Sequence, residues 1–309
     1  MNVLITGVNG FVGRNLAPYL RQKGHKVYGL GRNGDYTWKD VELNQLPKVD
    51  VIIHLSGKAH DTSNKTDEKV YFEVNRDLTI LIFDYFKRHP EIRTFVFYSS
   101  VKAVADKVRG NKLTEDVVPA PRGPYGESKA AAEQYILHAQ ASDGKNQGRQ
   151  HVYILRPCMM HGPGNKGNLN LLFKIVKTGI PWPLGAFDNL RSFACIDNVS
   201  YVTEKLLDGH VPCGIFNLAD DEALSTNELV EIICEAMGKK SKIWKFGKVF
   251  ITLVAKLGDK VHLPLNTERL TKLTESYVVD NSKIKKALGI DRMPVSTREG
   301  LIVTIASFR

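Results

Sequence analysis

The sequence predicts an α/β fold in which a doubly wound parallel sheet carries helices on both faces. Short apolar runs alternate with longer segments whose apolar residues recur at helical spacing. The runs are apolar almost throughout, which is typical of parallel strands buried on both faces. The first run starts near the first residue and leads directly into a glycine-rich turn. These three observations together predict repeated strand–helix–strand units.

The alternation is clearest in the first half of the chain. The predicted strands are Val3–Thr6, Lys26–Leu30, Val51–Leu55, Thr94–Tyr98, His151–Leu155 and, after a gap, Ile215–Leu218. The predicted helices are Phe11–Lys23, Val70–Lys87, Tyr125–Ala139, Glu228–Met237 (capped by Ser225 or Thr226), Lys283–Leu288 and Thr297–Ser307. Proline and glycine cluster in Pro157–Gly167 and Gly179–Gly185, which predicts loops there.

Composition excludes several classes of protein. The chain has 309 residues, 43% of them apolar and 25% charged, which excludes a disordered chain, a collagen and a disulfide miniprotein. No apolar run approaches the roughly 20 residues of a membrane span, and no signal peptide precedes the first strand, so we expect a cytoplasmic protein. The four cysteines are far apart, so we expect reduced thiols and no metal site.

The net charge of +10 points to an anionic partner. The stretch from Lys239 to Lys272 contains nine basic residues and two acidic ones, Asp259 and Glu268. A solvated basic face, nucleic acid, a membrane surface and phosphorylated metabolites all fit this charge. Within it, Lys245–Lys260 is apolar with basic flanks, and it is typical either of an ordinary helix or of a segment that lies on an anionic bilayer.

The glycine-rich turn after the first strand predicts dinucleotide binding. Gly7 permits a tight turn, Gly10 lets the backbone approach a pyrophosphate, and Gly13 lets the helix pack closely on the strand. The amides of Phe11 and Val12 then face the anion at the helix start. The second strand ends in an arginine, Arg32, with no acid at the expected place, which favours NADP over NAD.

A second motif predicts the chemistry. Tyr125 and Lys129 are one helical turn apart and share a face, where an ammonium favours the phenolate of the tyrosine. Ser100 lies at the carboxyl end of the predicted strand Thr94–Tyr98, at the edge where ligands bind in open α/β sheets. The serine would bind the substrate oxygen, the tyrosine would exchange its proton, and Asn75 on the preceding helix would support the site.

These motifs make the chain resemble the extended short-chain dehydrogenase/reductase family, in the branch acting on nucleotide sugars. The matching residues are Ile5–Gly13, His54–His60, Val74–Asn75, Phe97–Ala103, Pro124–Lys129, Leu155–Pro157, His161–Gly164 and Arg191–Asn198. The resemblance implies a Rossmann-like NAD(P)-binding domain over 1–156, to which 188–219 returns. It also implies a smaller α+β substrate-binding domain from 157–187 and 220–309.

The resemblance also implies roles for single residues. Leu55, Ser56 and Gly57 would line the cofactor, and Pro157 would pack near the nicotinamide. Arg191 would contact the substrate diphosphate, with Asn168 and Arg269 as weaker candidates for the nucleotide. A homodimer is common in the family, and we expect no nucleic-acid partner.

The reaction stays open between two alternatives. Val101 and Lys102 stand where a dehydratase of this family has an Asp-Glu pair, which excludes 4,6-dehydration as the first choice. We expect a 4-epimerase of a UDP-hexose or UDP-N-acetylhexosamine, and alternatively an NADPH-dependent reductase of a nucleotide-linked 4-keto-6-deoxy sugar. A non-catalytic NADP-binding regulator is a third interpretation. The short stretch between Leu30 and Val51 predicts an abbreviated adenine side of the pocket.

Overall fold

A parallel sheet forms the centre of the molecule, as the sequence predicts. In the computed structural model, which describes residues 1–58, 67–142, 150–165, 167–261 and 266–308, the strand order is β2-β1-β3-β4-β5-β8. The strands are β1 Asn2–Thr6, β2 Lys26–Leu30, β3 Val51–His54, β4 Thr94–Tyr98, β5 His151–Pro157 and β8 Gly214–Leu218. All neighbouring pairs in this sheet are parallel.

Helices cover both faces of the sheet. Along β1, Val3 and Ile5 pack into the core on one face, and Leu4 packs into the core on the other. The first face carries α1 Phe11–Gln22, α7 Ile196–Leu206 and α11 Ser282–Leu288. The opposite face carries α4 Leu78–Arg88 and α5 Gly123–Ala141. Burial on both sides explains why these strands have nearly continuous apolar sequences, and the predicted fold class is confirmed.

A second apolar core lies in the carboxyl-terminal part. Phe173, Phe193, Ile233 and Leu301 are among its buried residues. Its elements are β6 Met159–His161, α6 Asn168–Lys177, β7 Phe193–Cys195, α8 Thr226–Ala236, α9 Lys248–Val261, α10 Thr267–Thr274 and α12 Thr297–Ala306. The predicted domain boundaries stay a prediction; α11, which lies within 220–309, packs against the sheet core instead.

Two local predictions differ from the structure. The predicted loop at Pro157–Gly167 contains β6, which pairs in parallel with β7, a strand that lies far along the chain. The predicted helix Val70–Lys87 is divided into α3 Glu68–Phe72, a π-helical turn at Glu73–Asp77, and α4. Between β2 and β3 the structure has only the short helix α2 Trp38–Glu42 and a bridge from Leu30 to Tyr36, so this side of the sheet is abbreviated, as predicted.

Candidate active site

The glycine-rich turn joins β1 to α1 in a conformation that needs glycine. Gly7 has a φ of +69°, and a Cβ added there would lie 2.9 Å from the amide nitrogen of Ser56. The amide of Gly10 donates to the carbonyl of Gly7 over 2.9 Å. The structure therefore brings the turn against the segment after β3 that contains Leu55, Ser56 and Gly57.

The start of α1 suits an anion. Its N-cap residue, Gly10, makes no side-chain capping bond, so the first-turn amides of Phe11 and Val12 have no partner within the helix cap. A Cβ on Gly13 would lie 2.4 Å from the carbonyl oxygen of Val8, so glycine is required for the helix to pack this closely. Amides at a helix start and a backbone without side chains fit the pyrophosphate of NAD or NADP.

Ser100 and Tyr125 meet at the carboxyl edge of the sheet. Ser100 is the second residue after β4 and is 7% exposed, and Tyr125 lies in the first turn of α5. The Ser100 hydroxyl lies near that of Tyr125, and the ring of Tyr71 packs edge-on against that of Tyr125 at 6.4 Å. Burial raises the pKa of Tyr125, partly offset by the nearby Ser100 hydroxyl. The tyrosine therefore needs a nearby positive charge to ionise.

Lys129, one helical turn after Tyr125, is the candidate for that charge. Its ammonium is buried, donates to the carbonyl of Tyr98 over 2.8 Å, and lies 4.9 Å from the ring centroid of Phe97. Burial lowers its pKa from 10.5 to about 8, partly offset by Glu133. A Cβ on Gly57 would lie 3.1 Å from the lysine Nζ, so the absence of a side chain there lets the segment after β3 approach the amine closely.

Asn75 supports the site from the π-helical turn. Its side-chain amide donates to Ser128 Oγ over 3.0 Å and to the carbonyl of Lys58 over 3.2 Å. Its Oδ1 accepts the Lys58 amide over 2.8 Å. These bonds connect the segment after β3 to helix α5, between Tyr125 and Lys129. π turns within α-helices are frequent at functional sites, and here the turn carries Asn75, whose side chain bridges the two elements.

Sequence reasoning missed a buried polar chain behind the site. Thr6 Oγ1 accepts the amides of Leu55 and Ser56, so its own proton goes to His54 Nδ1 at 2.7 Å. The Nε2–H of His54 then donates to Thr79 Oγ1 at 2.9 Å, and Thr79 donates to the carbonyl of Asn75 at 2.7 Å. Burial lowers the pKa of His54 well below its usual value, which agrees with a neutral ring. A titratable residue at the end of an apolar strand was the available sequence signal.

The predicted substrate residues occupy varied positions. Arg191 donates from Nε to the carbonyl of Glu275 over 3.1 Å and from Nη2 to the carbonyl of Lys272, so it contacts the end of α10. Arg269 is exposed on α10, and the side chain of Asn168 lies outside the described residues. Their roles towards a nucleotide stay predictions.

Two residues predicted to contact the cofactor lie at the ends of different strands. Pro157 is buried and ends β5, in register with Leu218 of β8. Arg32 is exposed in the loop after β2. In the same loop, Asp35 accepts the amide of Gly29 over 2.7 Å, which turns the nearest acid back onto the edge strand. Their contacts with NAD(P) stay predictions.

The described ranges contain neither a membrane-spanning helix nor a cluster of metal-binding side chains. None of the helices there has the length and apolarity to cross a bilayer. No cluster of three or more histidine, cysteine, aspartate or glutamate side chains suited to a metal ion lies among these residues.

Comparison with known proteins agrees with the fold. The chain is 28% identical to UDP-glucose 4-epimerase of Vibrio cholerae, over 99% of this chain and 95% of that protein. It is 24% identical to GDP-6-deoxy-D-mannose reductase of Pseudomonas aeruginosa, over 75% of this chain and 79% of that one. The structure of RMD from Pseudomonas aeruginosa complexed with NADPH superposes with a TM-score of 0.76 at 20% identity, covering 100% and 99% of the two chains.

The family assignment rests on a family profile that matches more than half of the chain. Residues 3–209 match the profile of the NAD dependent epimerase/dehydratase family, a range that contains the glycine turn and the Ser100, Tyr125 and Lys129 cluster. The chain is an NAD(P)-dependent enzyme, as this family and the relatives above indicate. The residues of the glycine turn after β1 fit the cofactor. The chain belongs to the NAD dependent epimerase/dehydratase family.

Proposed function

We propose that this chain is an NAD(P)-dependent nucleotide-sugar 4-epimerase, acting on a UDP-hexose or a UDP-N-acetylhexosamine. The observation that carries the proposal is the proximity of the Ser100 and Tyr125 hydroxyls, with the buried amine of Lys129 one helical turn further on. This is the arrangement needed to move a proton to and from a sugar hydroxyl next to a carbon that changes oxidation state. The Vibrio cholerae relative supports the choice of sugar nucleotide.

The side chains would divide the work at C4 of the sugar. Ser100 would hold the 4-oxygen by a hydrogen bond, and Tyr125 would remove its proton and later return it. Lys129 would stabilise the phenolate electrostatically, because a charge close by in a dry site interacts strongly. Bound NAD(P)⁺ would supply the hydride acceptor and a positive charge that favours the phenolate. Rotation of the 4-keto sugar before hydride return would invert C4.

The cofactor would lie along the carboxyl edge of the sheet. Gly7, Gly10, Phe11 and Val12 would hold the pyrophosphate, and the Lys129 amine would hold the nicotinamide ribose. Arg32 would attract a 2′-phosphate, so we retain the preference for NADP. We also propose that the protein forms a homodimer and that it has the two domains predicted from the sequence.

C4 inversion without consumption of reductant tests the reaction. The purified enzyme is given UDP-glucose or UDP-N-acetylglucosamine with catalytic NAD⁺ or NADP⁺, and the C4 epimer is followed by proton NMR. We expect epimer formation, with a loss of at least about 10²-fold in kcat for Tyr125→Phe. Tyr135→Phe is a matched control on the same helix, because its hydroxyl bonds Asp84 away from the site. Equal rates for the two variants would contradict the proposal.

The ketoreductase is the second candidate. The absence of an acid directly after β2 and the exposed Arg32 favour a phosphorylated cofactor, and a consumed reductant is usually NADPH. The Pseudomonas aeruginosa reductase relative points the same way. Stoichiometric loss of NADPH absorbance with a nucleotide-linked 4-keto-6-deoxy sugar, with no epimer formed in the first assay, would replace the epimerase by this function. Binding of NADP without either activity would favour the regulator.

A further inference from the structure

An exposed apolar surface lies on α9 and the segment before it. Val249 is 76% exposed, Leu253 59% and Trp244 53%, values unusual for side chains of this size. Trp244, Phe246 and Phe250 form a chain of ring contacts, with centroids 5.7 and 5.9 Å apart. We name this surface the α9 face; its residues are Trp244, Phe246, Val249, Phe250, Leu253 and Leu257.

The helix buries a different side of itself. Ile251 and Ala255 are buried in the second core, at 3% and 0% exposure. At 3.6 residues per turn, Phe250, Leu253 and Leu257 project to the outside of that inward stripe. Packing of the fold therefore does not account for the α9 face. A contiguous exposed apolar patch rimmed by polar residues marks an interaction site.

The surroundings of the α9 face are strongly basic. From Lys239 to Lys260 the chain has seven lysines and a single acid, Asp259. Lys256 and Lys260 are exposed on the helix, three residues after Leu253 and Leu257 respectively. Long lysine side chains can run along an apolar surface while their amines reach a plane of negative charge above it. The α9 face thus combines aromatic rings, aliphatic side chains and cations.

We propose that the α9 face docks on the surface of an anionic lipid bilayer. Tryptophan and phenylalanine suit the boundary between headgroups and acyl chains, and basic residues around them are attracted to anionic lipid. A second copy of this chain is a poorer occupant, because a two-fold interface would oppose the same lysines of both copies. The charge of the segment therefore selects lipid over self-association.

The docking surface continues into the segment that carries Arg191. Lys245 forms an isolated bridge with Leu184, and the amine of Lys248 lies 5.9 Å from the ring centroid of Phe187. A docked α9 would hold this segment close to the headgroups. Docking of the α9 face does not depend on the proposed reaction, because this surface lies outside the cluster of Ser100, Tyr125 and Lys129.

Vesicle co-sedimentation tests the docking. The full chain is mixed with vesicles of phosphatidylcholine alone or with 30% phosphatidylglycerol, at low and high salt. We expect sedimentation with the anionic vesicles only, and release by salt. Phe250→Ser/Leu253→Ser should lower the partition coefficient at least about tenfold through lost apolar burial. Lys256→Gln/Lys260→Gln should lower it roughly 30-fold, at about one kcal/mol per lysine.

A matched control and a second signal complete the test. Leu43→Ser/Val118→Ser removes two exposed apolar side chains elsewhere, at 52% and 82% exposure, and should leave binding unchanged. The emission of Trp244 should shift to the blue on anionic vesicles, and Trp244→Phe should abolish the shift. Unchanged circular dichroism shows that each variant is folded. Absence of vesicle binding, equal binding by all variants, or loss of a dimer instead of vesicle binding in the α9 variants would each overturn the proposal.

Discussion

The buried amine of Lys129 should lower the stability of the folded protein at neutral pH. The side chain is 4% exposed, and burial lowers its pKa from 10.5 to about 8. At 1.36 kcal/mol per pH unit, this difference corresponds to about 3 kcal/mol. In the unfolded chain the amine keeps its proton up to about pH 10.5, whereas in the folded chain it loses it near 8. The cost is therefore fully present below pH 8 and is relieved as the pH rises from 8 towards 10.5.

Lys129→Met removes this cost while keeping a side chain of similar length. The variant also loses the hydrogen bond to the carbonyl of Tyr98, worth about 1 kcal/mol. We therefore expect it to be more stable than the natural chain by about 2 kcal/mol at pH 7, and to lose activity. Between pH 7 and pH 10 the advantage should fall by about 2 to 3 kcal/mol, because the natural chain regains stability over that interval.

Urea unfolding at pH 7 and pH 10, without NAD(P), measures both free energies of unfolding. Lys286→Met on α11 is the control, since its exposed amine is hydrated in both states and its substitution should give the same difference at both pH values. A destabilised Lys129→Met variant at pH 7, or a difference from the natural chain that does not change with pH, would refute the reasoning.

Three further substitutions test the site. Gly7→Ala should weaken NAD(P) binding at least about tenfold by calorimetry; Gly24→Ala, also at positive φ but in open space, should only destabilise, and equal effects on binding would count against the cradle. Arg156 and Glu133 form a buried ion pair, so Arg156→Leu should lower the free energy of unfolding in urea by about 3 to 5 kcal/mol, because it leaves Glu133 buried and unpaired. Adding Glu133→Leu to that variant should restore most of the loss. His54→Leu should destabilise by about 2 to 4 kcal/mol and lower kcat, whereas His54→Gln, which can accept and donate in the same positions, should recover more than half; no recovery would argue against the hydrogen-bonded role.

The sheet could be predicted because its signals are local. Parallel strands buried on both faces have unbroken apolar sequences, and Val3–Thr6 or Thr94–Tyr98 need no knowledge of their neighbours. The strand β6 could not be predicted, because its partner β7 is distant in sequence and its own three residues lie among prolines and glycines. The π turn at Glu73–Asp77 was equally hidden, since one widened turn hardly alters an apolar periodicity.

The site divides in the same way. Tyr125 and Lys129 lie on one helix, and Ser100 at a strand end, so motif spacing and sheet edge were sufficient to predict that they meet. The position of Arg191 was not predictable in this way. Its guanidinium contacts carbonyls at the end of α10, a helix that begins far along the chain. Motif spacing can predict that side chains on one helix or strand end lie together. It cannot predict which backbone carbonyls, distant in sequence, will accept hydrogen bonds from an arginine side chain.

The buried chain from Thr6 to Asn75 implies that the glycine turn and the cluster of Ser100, Tyr125 and Lys129 are one structural unit. Thr6 ends β1 immediately before the glycine turn, and its hydroxyl fixes the amides of the segment after β3. The same hydroxyl fixes the tautomer of His54, which in turn orients Thr79 and the π turn that carries Asn75. Every member has a partner in a dry interior, so a shift of any one leaves another unsatisfied at a cost of about 1 to 3 kcal/mol. Small displacements are therefore resisted, and the distance between the glycine turn and the cluster of Ser100, Tyr125 and Lys129 is set by hydrogen bonds rather than by packing alone.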